Sequence, residues 1–319
     1  MKIGMIGLGR MGGNMTQRLI EGGHQVVVYD RNAEAVEAAS KEGASPSTSL
    51  EEMVKALEPP RAVWVMVPSG APTESTIDEL GNVLSSGDVI VDGGNSHYID
   101  ALARAAKLKE RGIGFLDAGT SGGVWGLKEG YCLMVGGEAD AVAVVEPAFR
   151  TLAPENGFAH VGPTGAGHYV KMIHNGIEYG MLQAYAEGFA LLEAAPEFSL
   201  DLHEIADLWR HGSVVRSWLL DLTELALQNP DEFKRIKGYV EDSGEGRWTV
   251  QESINRAVAA PVIAASLFAR FQSRDDERFA ARIVAALRNE FGGHKFFEEA
   301  AAAEVQKTEG DQPVQQVPS

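Results

Sequence analysis

Cysteine is almost absent from the sequence, since Cys132 is the only one in 319 residues. An intrachain disulfide framework is therefore excluded, and the composition is typical of a protein from a reducing compartment. Cys132 lies in an apolar, strand-like run from Tyr131 to Val135. We interpret it as part of the buried core and not as a nucleophile.

Long hydrophobic runs are also missing. The longest, Ala257 to Ala269, is too short to cross a bilayer and contains Pro261. The first residues form a strand pattern and have no signal-peptide architecture, so we expect a cytoplasmic protein without membrane contact. The net charge is −17 and no Lys/Arg run is present, which argues against nucleic-acid binding. An anionic substrate would need a local basic cluster.

The first half alternates short apolar runs with amphipathic stretches. This alternation predicts βαβ units and a doubly wound, parallel sheet, an α/β fold of the Rossmann type. Its predicted strands are 2–6, 25–29, 62–67, 89–92 and 114–117, with further strand-like runs at 132–135 and 157–161. Its predicted helices are 11–21, 33–42, 73–84, 98–111 and 139–152.

After Gly162 the pattern changes to long helical periodicity, with Ser199 as the expected N-cap of one helix. The predicted helices are 167–195, 200–209, 215–228, 249–259, 262–271 and 275–291. We therefore predict a dinucleotide-binding domain over 1–162 and an all-α domain for substrate and dimerisation over 163–307. Residues 308–319, rich in Gln, Pro and Val, are expected to form a flexible tail.

A glycine-rich loop, Gly7-Leu8-Gly9-Arg10-Met11-Gly12, follows the first predicted strand and opens the first helix. Glycines permit the tight turn and let the backbone approach a pyrophosphate at the helix N-terminus. Asp30 ends the second strand, where a carboxylate binds the ribose hydroxyls and repels a 2′-phosphate. This favours NAD. NADP stays possible, because Arg31 could pair with a 2′-phosphate.

One helix carries an amine, an imidazole, a carboxamide and a carboxylate on a single face. Lys171, His174, Asn175 and Glu178 are spaced three, four and seven positions apart, which places them together. A solvated helix face with an ion pair would show the same spacing. The small flanking residues, Gly165 to Gly167 and Gly176, favour a site, since they permit close approach of a ligand or of another backbone.

Two further loops follow predicted strands, at the edge of the sheet where ligands bind in such folds. Asn95 follows the strand 89–92, and the segment Gly119 to Gly123 follows Asp117. Ser121, with Gly122 and Gly123, offers a hydroxyl and accessible backbone N–H groups, which suit a carboxylate. Either loop alone could be a simple turn, but together they predict one cleft.

With these residues the chain resembles the β-hydroxyacid dehydrogenase superfamily, and within it the short-form decarboxylating 6-phosphogluconate dehydrogenases, from Met1 to about Lys295. The resemblance implies that Lys171 is the general base and acid, and that Glu178 is the acid that protonates carbon 1. It implies metal-free chemistry that begins with a neutral lysine, although the pKa of a free lysine is about 10.4.

The resemblance also implies the binding residues. Those for the cofactor are Gly7, Leu8, Gly9, Arg10, Met11, Gly12, Asp30, Arg31, Val67, Pro68 and Asn95. Those for the substrate are Asn95, Ser121, Gly122, Gly123, His174, Asn175, Tyr179, Arg270, Arg288 and His294. Arg270 matches a phosphate-binding arginine, and Arg288 and His294 match a pair that a neighbouring subunit supplies. An obligate homo-oligomer is therefore expected.

The chain departs from the long-form enzymes at Ser243, where they carry a lysine; Arg247 is a candidate replacement. Two other functions stay open. A dehydrogenase for a small unphosphorylated 3-hydroxy acid, such as 3-hydroxyisobutyrate, would share the glycine loop and Lys171 but would have little use for Arg270, Arg288 and His294. A non-catalytic NAD sensor would bind the cofactor without turnover.

Overall fold

A single eight-stranded sheet forms the N-terminal part of the computed structural model, which describes residues 1–292 and Lys295. The strands are β1 Lys2–Ile6, β2 Gln25–Tyr29, β3 Ser45–Pro46, β4 Ala62–Val65, β5 Val89–Asp92, β6 Gly114–Ser121, β7 Cys132–Gly137 and β8 Phe158–Gly162. Their order is β3-β2-β1-β4-β5-β6-β7-β8. The strands β2 and β3 thus lie on one side of β1, and β4 to β8 lie on the other side.

The predicted parallel sheet is confirmed except at one pair, because β7 runs antiparallel to β6. This pair extends β6 to Ser121, four residues beyond the predicted end, and Ser121 lies opposite Cys132. Cys132 is exposed there, so its assignment to the core was wrong. Cys132 is the first residue of β7, and burial begins only with the residues that follow it, Leu133, Met134 and Val135.

Helices cover both faces of the sheet and then make up most of the chain. Those of the sheet region are α1 Arg10–Glu21, α2 Ala33–Lys41, α3 Leu50–Ala56, α4 Ala71–Val83, α5 Tyr98–Lys109, α6 Gly126–Glu129 and α7 Ala139–Leu152. Those that follow are α8 Ala166–Glu193, α9 Leu202–Arg210, α10 Trp218–Leu227, α11 Pro230–Phe233, α12 Glu245–Asn255, α13 Pro261–Gln272 and α14 Phe279–Gly292.

The two faces of the sheet bury separate apolar clusters. Met5 and Val28 pack in one cluster with Leu19 of α1, whereas Val27 of the same strand packs on the other face with Met53 of α3. Adjacent strand residues point to opposite faces, so the central strands β1, β2, β4 and β5 carry mainly apolar side chains on both faces. This two-sided burial explains why the strands were recognisable as continuous apolar runs.

Ser199 is not an N-cap, contrary to the prediction. It adopts a left-handed conformation with φ of 50° and ends the short 3-10 turn Pro196–Phe198. Asp201 caps α9 instead, and its side chain accepts hydrogen bonds from the backbone N–H groups of His203 and Glu204. Serine and aspartate both occur as N-caps. Because Ser199 ends the 3-10 turn, Asp201 is the residue that precedes the first turn of α9.

Contacts divide the chain into two compact units. The first comprises Met1–Lys234 with Asp242–Leu267, and the second comprises Arg235–Glu241 with the residues from Phe268 onward. The boundary at residue 162 stays a prediction, and the tail 308–319 lies outside the described residues. Among residues 1–292, no helix is both long enough and apolar enough to cross a membrane.

Candidate active site

The glycine loop after β1 is built by close backbone contacts. Gly7 has a φ of +89°, and a Cβ on it would lie 2.3 Å from the carbonyl oxygen of Met66. A Cβ on Gly12 would lie 1.9 Å from the carbonyl oxygen of Gly7. At Gly9, by contrast, a Cβ would meet nothing within 4 Å, and no side chain caps α1. The open helix N-terminus therefore fits a dinucleotide pyrophosphate.

Asp30 organises this loop. One carboxylate oxygen accepts a hydrogen bond of 2.6 Å from the backbone N–H of Leu8, and the other accepts one of 2.7 Å from Asn32. Arg10 and Arg31 are exposed beside it. Val67, which follows β4, is half-buried and Pro68 is exposed. The preference between NAD and NADP stays a prediction.

The N-terminus of α8 is fixed to the sheet by Asp117 of β6. Its carboxylate accepts hydrogen bonds from the backbone N–H groups of Gly165, at 2.7 Å, and His168, at 2.8 Å. These groups have no partner within the helix, so Asp117 acts as a cap supplied from a neighbouring strand. The sequence analysis named Asp117 only as the residue before the segment Gly119 to Gly123 and missed this role.

Glycines bring α8 into direct contact with β6. A Cβ on Gly167 would lie 2.2 Å from the carbonyl oxygen of Asp117, and one on Gly119 would lie 2.5 Å from Lys171 Cβ. Gly176 faces α12, where a Cβ would lie 2.5 Å from Thr249 Cγ2. The glycines around Lys171 therefore serve contacts within the protein, which is one of the two roles that the sequence left open.

A buried ionic network lies behind the start of α8. Arg104 donates a hydrogen bond of 2.9 Å to Asp92, and His168 Nε2 lies 3.5 Å from the same carboxylate oxygen. Burial lowers the pKa of His168, but the carboxylates of Asp92 and Asp117 outweigh it and hold the pKa above its ordinary value. The two carboxylates therefore favour the protonated form of the imidazole at the helix start.

A cavity of about 1000 Å³ opens along the next turns of α8. It is lined by the predicted residues of two segments, namely Ser121, Gly122 and Gly123 after β6 and Lys171, His174, Asn175 and Glu178 on α8, together with Met11 of α1. The common face that the spacing of the four α8 residues predicted is thus the wall of a cavity in the first compact unit.

Hydrogen bonds connect the polar side chains of this wall. Lys171 Nζ donates to Asn175 Oδ1, and His174 Nδ1 lies 3.0 Å from the same oxygen. Because an amide oxygen only accepts, Nδ1 is the donor. In the neutral ring Nε2 then accepts from Ser121 Oγ, 3.3 Å away. His174 Nδ1 also lies 4.0 Å from Glu178 Oε2. The carboxyl, imidazole and amine are therefore held together.

Burial lowers the pKa of Lys171 from its ordinary value of 10.5, while the charges of Glu178, Glu245 and Cys132 act in the opposite direction. Removing water from a charged amine favours its neutral form. A neutral amine at the wall of a cavity can accept a proton from a bound hydroxyl group, which is the chemistry expected of a general base.

Tyr179 lies away from the cavity lining, on the face of α8 that packs against α12. Its ring is buried, and its hydroxyl accepts a hydrogen bond of 3.1 Å from the backbone N–H of Ser243. Arg247, the candidate replacement for the missing lysine, forms two hydrogen bonds with Asp242, the shorter at 2.6 Å. Any role of Tyr179 or Arg247 in binding a substrate stays a prediction.

The remaining predicted residues are not brought to this cavity wall. Asn95 is exposed in the loop after β5. Arg270, in α13, donates a hydrogen bond of 3.0 Å to the carbonyl oxygen of Glu241, and Arg288 is exposed on α14. Arg270 and Arg288 belong to the second compact unit. His294 lies outside the described residues.

Glu245, at the start of α12, is a buried residue that the sequence analysis missed. Burial raises its pKa to about 7, and the neighbouring charges of Lys171 and His168 act against that increase. Glu245 lies in a segment rich in glycine and charged residues, a composition typical of an exposed loop. No sequence signal therefore indicated its burial.

The sheet, the open glycine loop and the cavity with a buried amine define a nucleotide-dependent oxidoreductase. Residues 2–162 match the NAD binding domain of 6-phosphogluconate dehydrogenase, and residues 167–308 match its C-terminal domain. The chain belongs to the 6-phosphogluconate dehydrogenase family.

Relatives of similar length support this assignment. The chain is 49% identical over 294 residues to YqeC of Bacillus subtilis, provisionally named a 6-phosphogluconate dehydrogenase, covering 92% of this chain and 98% of that protein. It is 43% identical to the NAD(+)-dependent, decarboxylating 6-phosphogluconate dehydrogenase of Haloferax volcanii, with the same coverage of both proteins. The short form is thus shared with other proteins.

Solved structures show the same fold. The Plasmodium falciparum 6-phosphogluconate dehydrogenase has a TM-score of 0.80 and 28% identity; the match covers 94% of this chain but 66% of that one. The Mycobacterium tuberculosis 3-hydroxyisobutyrate dehydrogenase has a TM-score of 0.68 and 23% identity, with 88% and 94% covered. At that identity, the second similarity concerns the fold alone.

Proposed function

We propose that the protein catalyses the oxidative decarboxylation of 6-phosphogluconate to ribulose 5-phosphate and CO2, with NAD, or alternatively NADP, as the hydride acceptor. One observation carries the proposal: the buried amine of Lys171, whose pKa is lowered, shares a cavity wall with Glu178. The activity for which the Haloferax volcanii relative is named, at 43% identity over 98% of its length, supports the same reaction.

The chemistry follows from these two side chains. Neutral Lys171 takes the proton of the C3 hydroxyl group, and the bound nicotinamide supplies the acceptor for the C3 hydride. The resulting 3-keto acid loses CO2 as its electrons move onto the C3 oxygen, where the Lys171 ammonium stabilises the charge and donates its proton. Glu178 then protonates C1 of the enediol while Lys171 recovers the hydroxyl proton.

The other side chains of the cavity bind and orient the substrate. Ser121, with the backbone of Gly122 and Gly123, suits the carboxylate that leaves as CO2, and His174 and Asn175 suit the hydroxyl groups. The described lining of the cavity contains no arginine. The resemblance assigns the phosphate to Arg270 and to Arg288 and His294 of a neighbouring chain, so we propose that the active form is a homo-oligomer.

The direct test measures reduction of NAD and of NADP with 6-phosphogluconate, and identifies CO2 and ribulose 5-phosphate as products. K171A should lose activity at least about 1000-fold, because base catalysis and charge stabilisation are both removed. K41A is the matched control, since Lys41 lies exposed on α2 in an ion pair with Glu37. Near-normal turnover by K171A would refute the assignment.

A 3-hydroxyisobutyrate-type activity is the alternative outcome of the same assay. It would appear as turnover of unphosphorylated 3-hydroxy acids without turnover of 6-phosphogluconate. Binding of NAD without turnover of either class of substrate would identify a sensor.

E178Q separates the steps of the proposed reaction, because it should slow protonation of the enediol more than hydride transfer. Equal loss of both rates would contradict the role of Glu178.

A further inference from the structure

An apolar pair of side chains, Val124 and Trp125, lines the same cavity as Lys171 and Glu178. Val124 is 50% exposed and Trp125 is 40% exposed. Large apolar side chains that stay accessible in a cavity are typical of ligand contact, because a bound ligand removes them from water. The sequence analysis ended its substrate segment at Gly123, one residue earlier, and assigned no role to this pair.

The pair is held in a fixed turn. It belongs to the 3-10 turn Gly123–Trp125, which the chain enters through Gly122 with a φ of 126° and Gly123 with a φ of 52°. Both values lie in the left-handed region that favours glycine. After the turn, a Cβ on Gly126 would lie 1.9 Å from the ring of Tyr131, which is fully buried. Packing within the protein therefore positions the turn without a ligand.

Arg18 of α1 joins the segment after this turn to the cofactor helix. Its Nη1 atom donates a hydrogen bond of 3.1 Å to the carbonyl oxygen of Leu127, and its Nε atom donates one of 3.0 Å to that of Leu152. Helix α1 begins at the glycine loop and contributes Met11 to the same cavity. The turn is thus continuous with the segment Ser121 to Gly123 and anchored to the helix that is expected to receive the dinucleotide.

The proposed decarboxylation depends on the surroundings of the substrate carboxylate. The C1–C2 bond of the keto acid breaks, its electron pair forms the C2–C3 double bond, and the carbonyl electrons move to the C3 oxygen, which takes the Lys171 proton. The negative charge thus leaves the carboxylate as neutral CO2 forms. Water stabilises a localised carboxylate charge, so removing water raises the free energy of the carboxylate relative to the transition state, where the charge is spread out. Hydride transfer from C3 leaves the carboxylate unchanged.

We propose that Trp125, together with Val124, covers the substrate carboxylate bound at Ser121 to Gly123 and excludes water from it, which favours the loss of CO2. The pair directly follows that segment and lines the same cavity. Valine has no hydrogen-bonding group and the indole ring has a single N–H donor, so the pair replaces few of the hydrogen bonds that water makes. This inference rests on the proposed function, and it adds Trp125 as a residue that determines decarboxylation and not oxidation.

The test measures the formation of NADH and of CO2 by the full-length enzyme with 6-phosphogluconate and NAD, together with the carbon isotope effect at C1 and the deuterium isotope effect at C3. In W125A, formation of CO2 should slow at least about tenfold, because water regains access to the carboxylate. Decarboxylation then limits the rate, so the carbon isotope effect should rise and the deuterium isotope effect should fall. W125F, which keeps an apolar ring, should stay close to the wild type.

Two further variants separate the cover from other effects. W218A removes a tryptophan of α10 that lines the same cavity and is 47% exposed, but that does not adjoin the carboxylate segment in the chain. It should leave both isotope effects as they are in the wild type. V124T is close to valine in shape and adds a hydroxyl group, so it should also raise the carbon isotope effect, because polarity and not shape has changed.

Unchanged formation of CO2 in W125A overturns the proposal, as does slower formation of CO2 with an unchanged or smaller carbon isotope effect. If W125A does not fold, V124T decides, and an unchanged carbon isotope effect in that variant overturns the proposal. If the wild type does not oxidise 6-phosphogluconate, the proposed function fails and this inference with it. If the wild type releases CO2 and W125A does so equally fast, this inference alone fails.

Discussion

Gly119 of β6 lies so close to Lys171 of α8 that a methyl group on Gly119 would sit 2.5 Å from Lys171 Cβ. The contact fixes the base of the lysine side chain against the end of a sheet strand. With Asp117 capping the same helix one turn earlier, the amine depends on the sheet for its position. This arrangement leads to the first prediction.

G119A should lower kcat/KM about 100-fold with 6-phosphogluconate, because a displacement of about 1 Å at a catalytic group has that effect. The methyl group would also lie 2.7 Å from the carbonyl oxygen of Gly167, so the backbone has to move. G188A is the control on the same helix, where a Cβ meets nothing within 4 Å. Wild-type kcat/KM in G119A would contradict the model of a fixed base.

The pH dependence of kcat/KM should report Lys171. The reaction needs the neutral amine, so kcat/KM rises with pH as Lys171 loses its proton. Since burial lowers the pKa of Lys171 from 10.5, the midpoint of this rise should lie below the value of an ordinary lysine. A midpoint at or above 10.5, measured over a pH range in which the protein stays folded, would exclude Lys171 as the base.

D117A should destabilise the protein by about 2–4 kcal/mol, because it leaves the backbone N–H groups of Gly165 and His168 buried without acceptors. D117N keeps one acceptor oxygen and should lose less. Denaturant unfolding measures both. D140A is the control, since Asp140 is exposed on α7 and accepts only from its neighbour Ala141. Equal stability of D117A and the wild type would contradict the capping role.

Two glycines of the cofactor loop should respond differently to alanine. G7A introduces a positive φ at a non-glycine residue and a contact of 2.3 Å with Met66, so it should lose about 2 kcal/mol or more of stability. G9A meets nothing within 4 Å and should keep its stability. If the pyrophosphate lies against Gly9, G9A should still weaken NAD binding at least tenfold, as measured by calorimetry. Unchanged NAD affinity in G9A would contradict that placement.

Regular periodicity made most of the fold predictable. A short helix and the direction of one strand were missed. The helix 139–152 was predicted at its observed bounds, because its apolar spacing is regular. Helix α3 was missed, although the Ser49-x-x-Glu52 spacing at its start was readable in the sequence: the Ser49 hydroxyl accepts from the backbone N–H of Glu52, and the Glu52 carboxylate accepts from the backbone N–H of Thr48. The antiparallel β7 was not predictable, since nothing in the pattern of its residues encodes strand direction.

The candidate site was also predictable only in part. Helical spacing was enough to place Lys171, His174, Asn175 and Glu178 on one wall, since all four lie within two turns. Glu245 approaches them from 67 or more residues away in the sequence, and only tertiary packing reveals it. The roles of Arg270 and Arg288 stay predictions, and the one proposed for Arg288 involves a neighbouring subunit, which a single chain does not determine.

The capping of α8 by Asp117 has a consequence for recombining members of this family. The first turns of α8 depend on a carboxylate in β6 and on glycines that fit that strand, so they have to be inherited together with the sheet. A chimaera joined at residue 162 would separate the helix from its anchor. A crossover placed beyond Gly176 would keep the anchor and the amine that it orients in one parental piece.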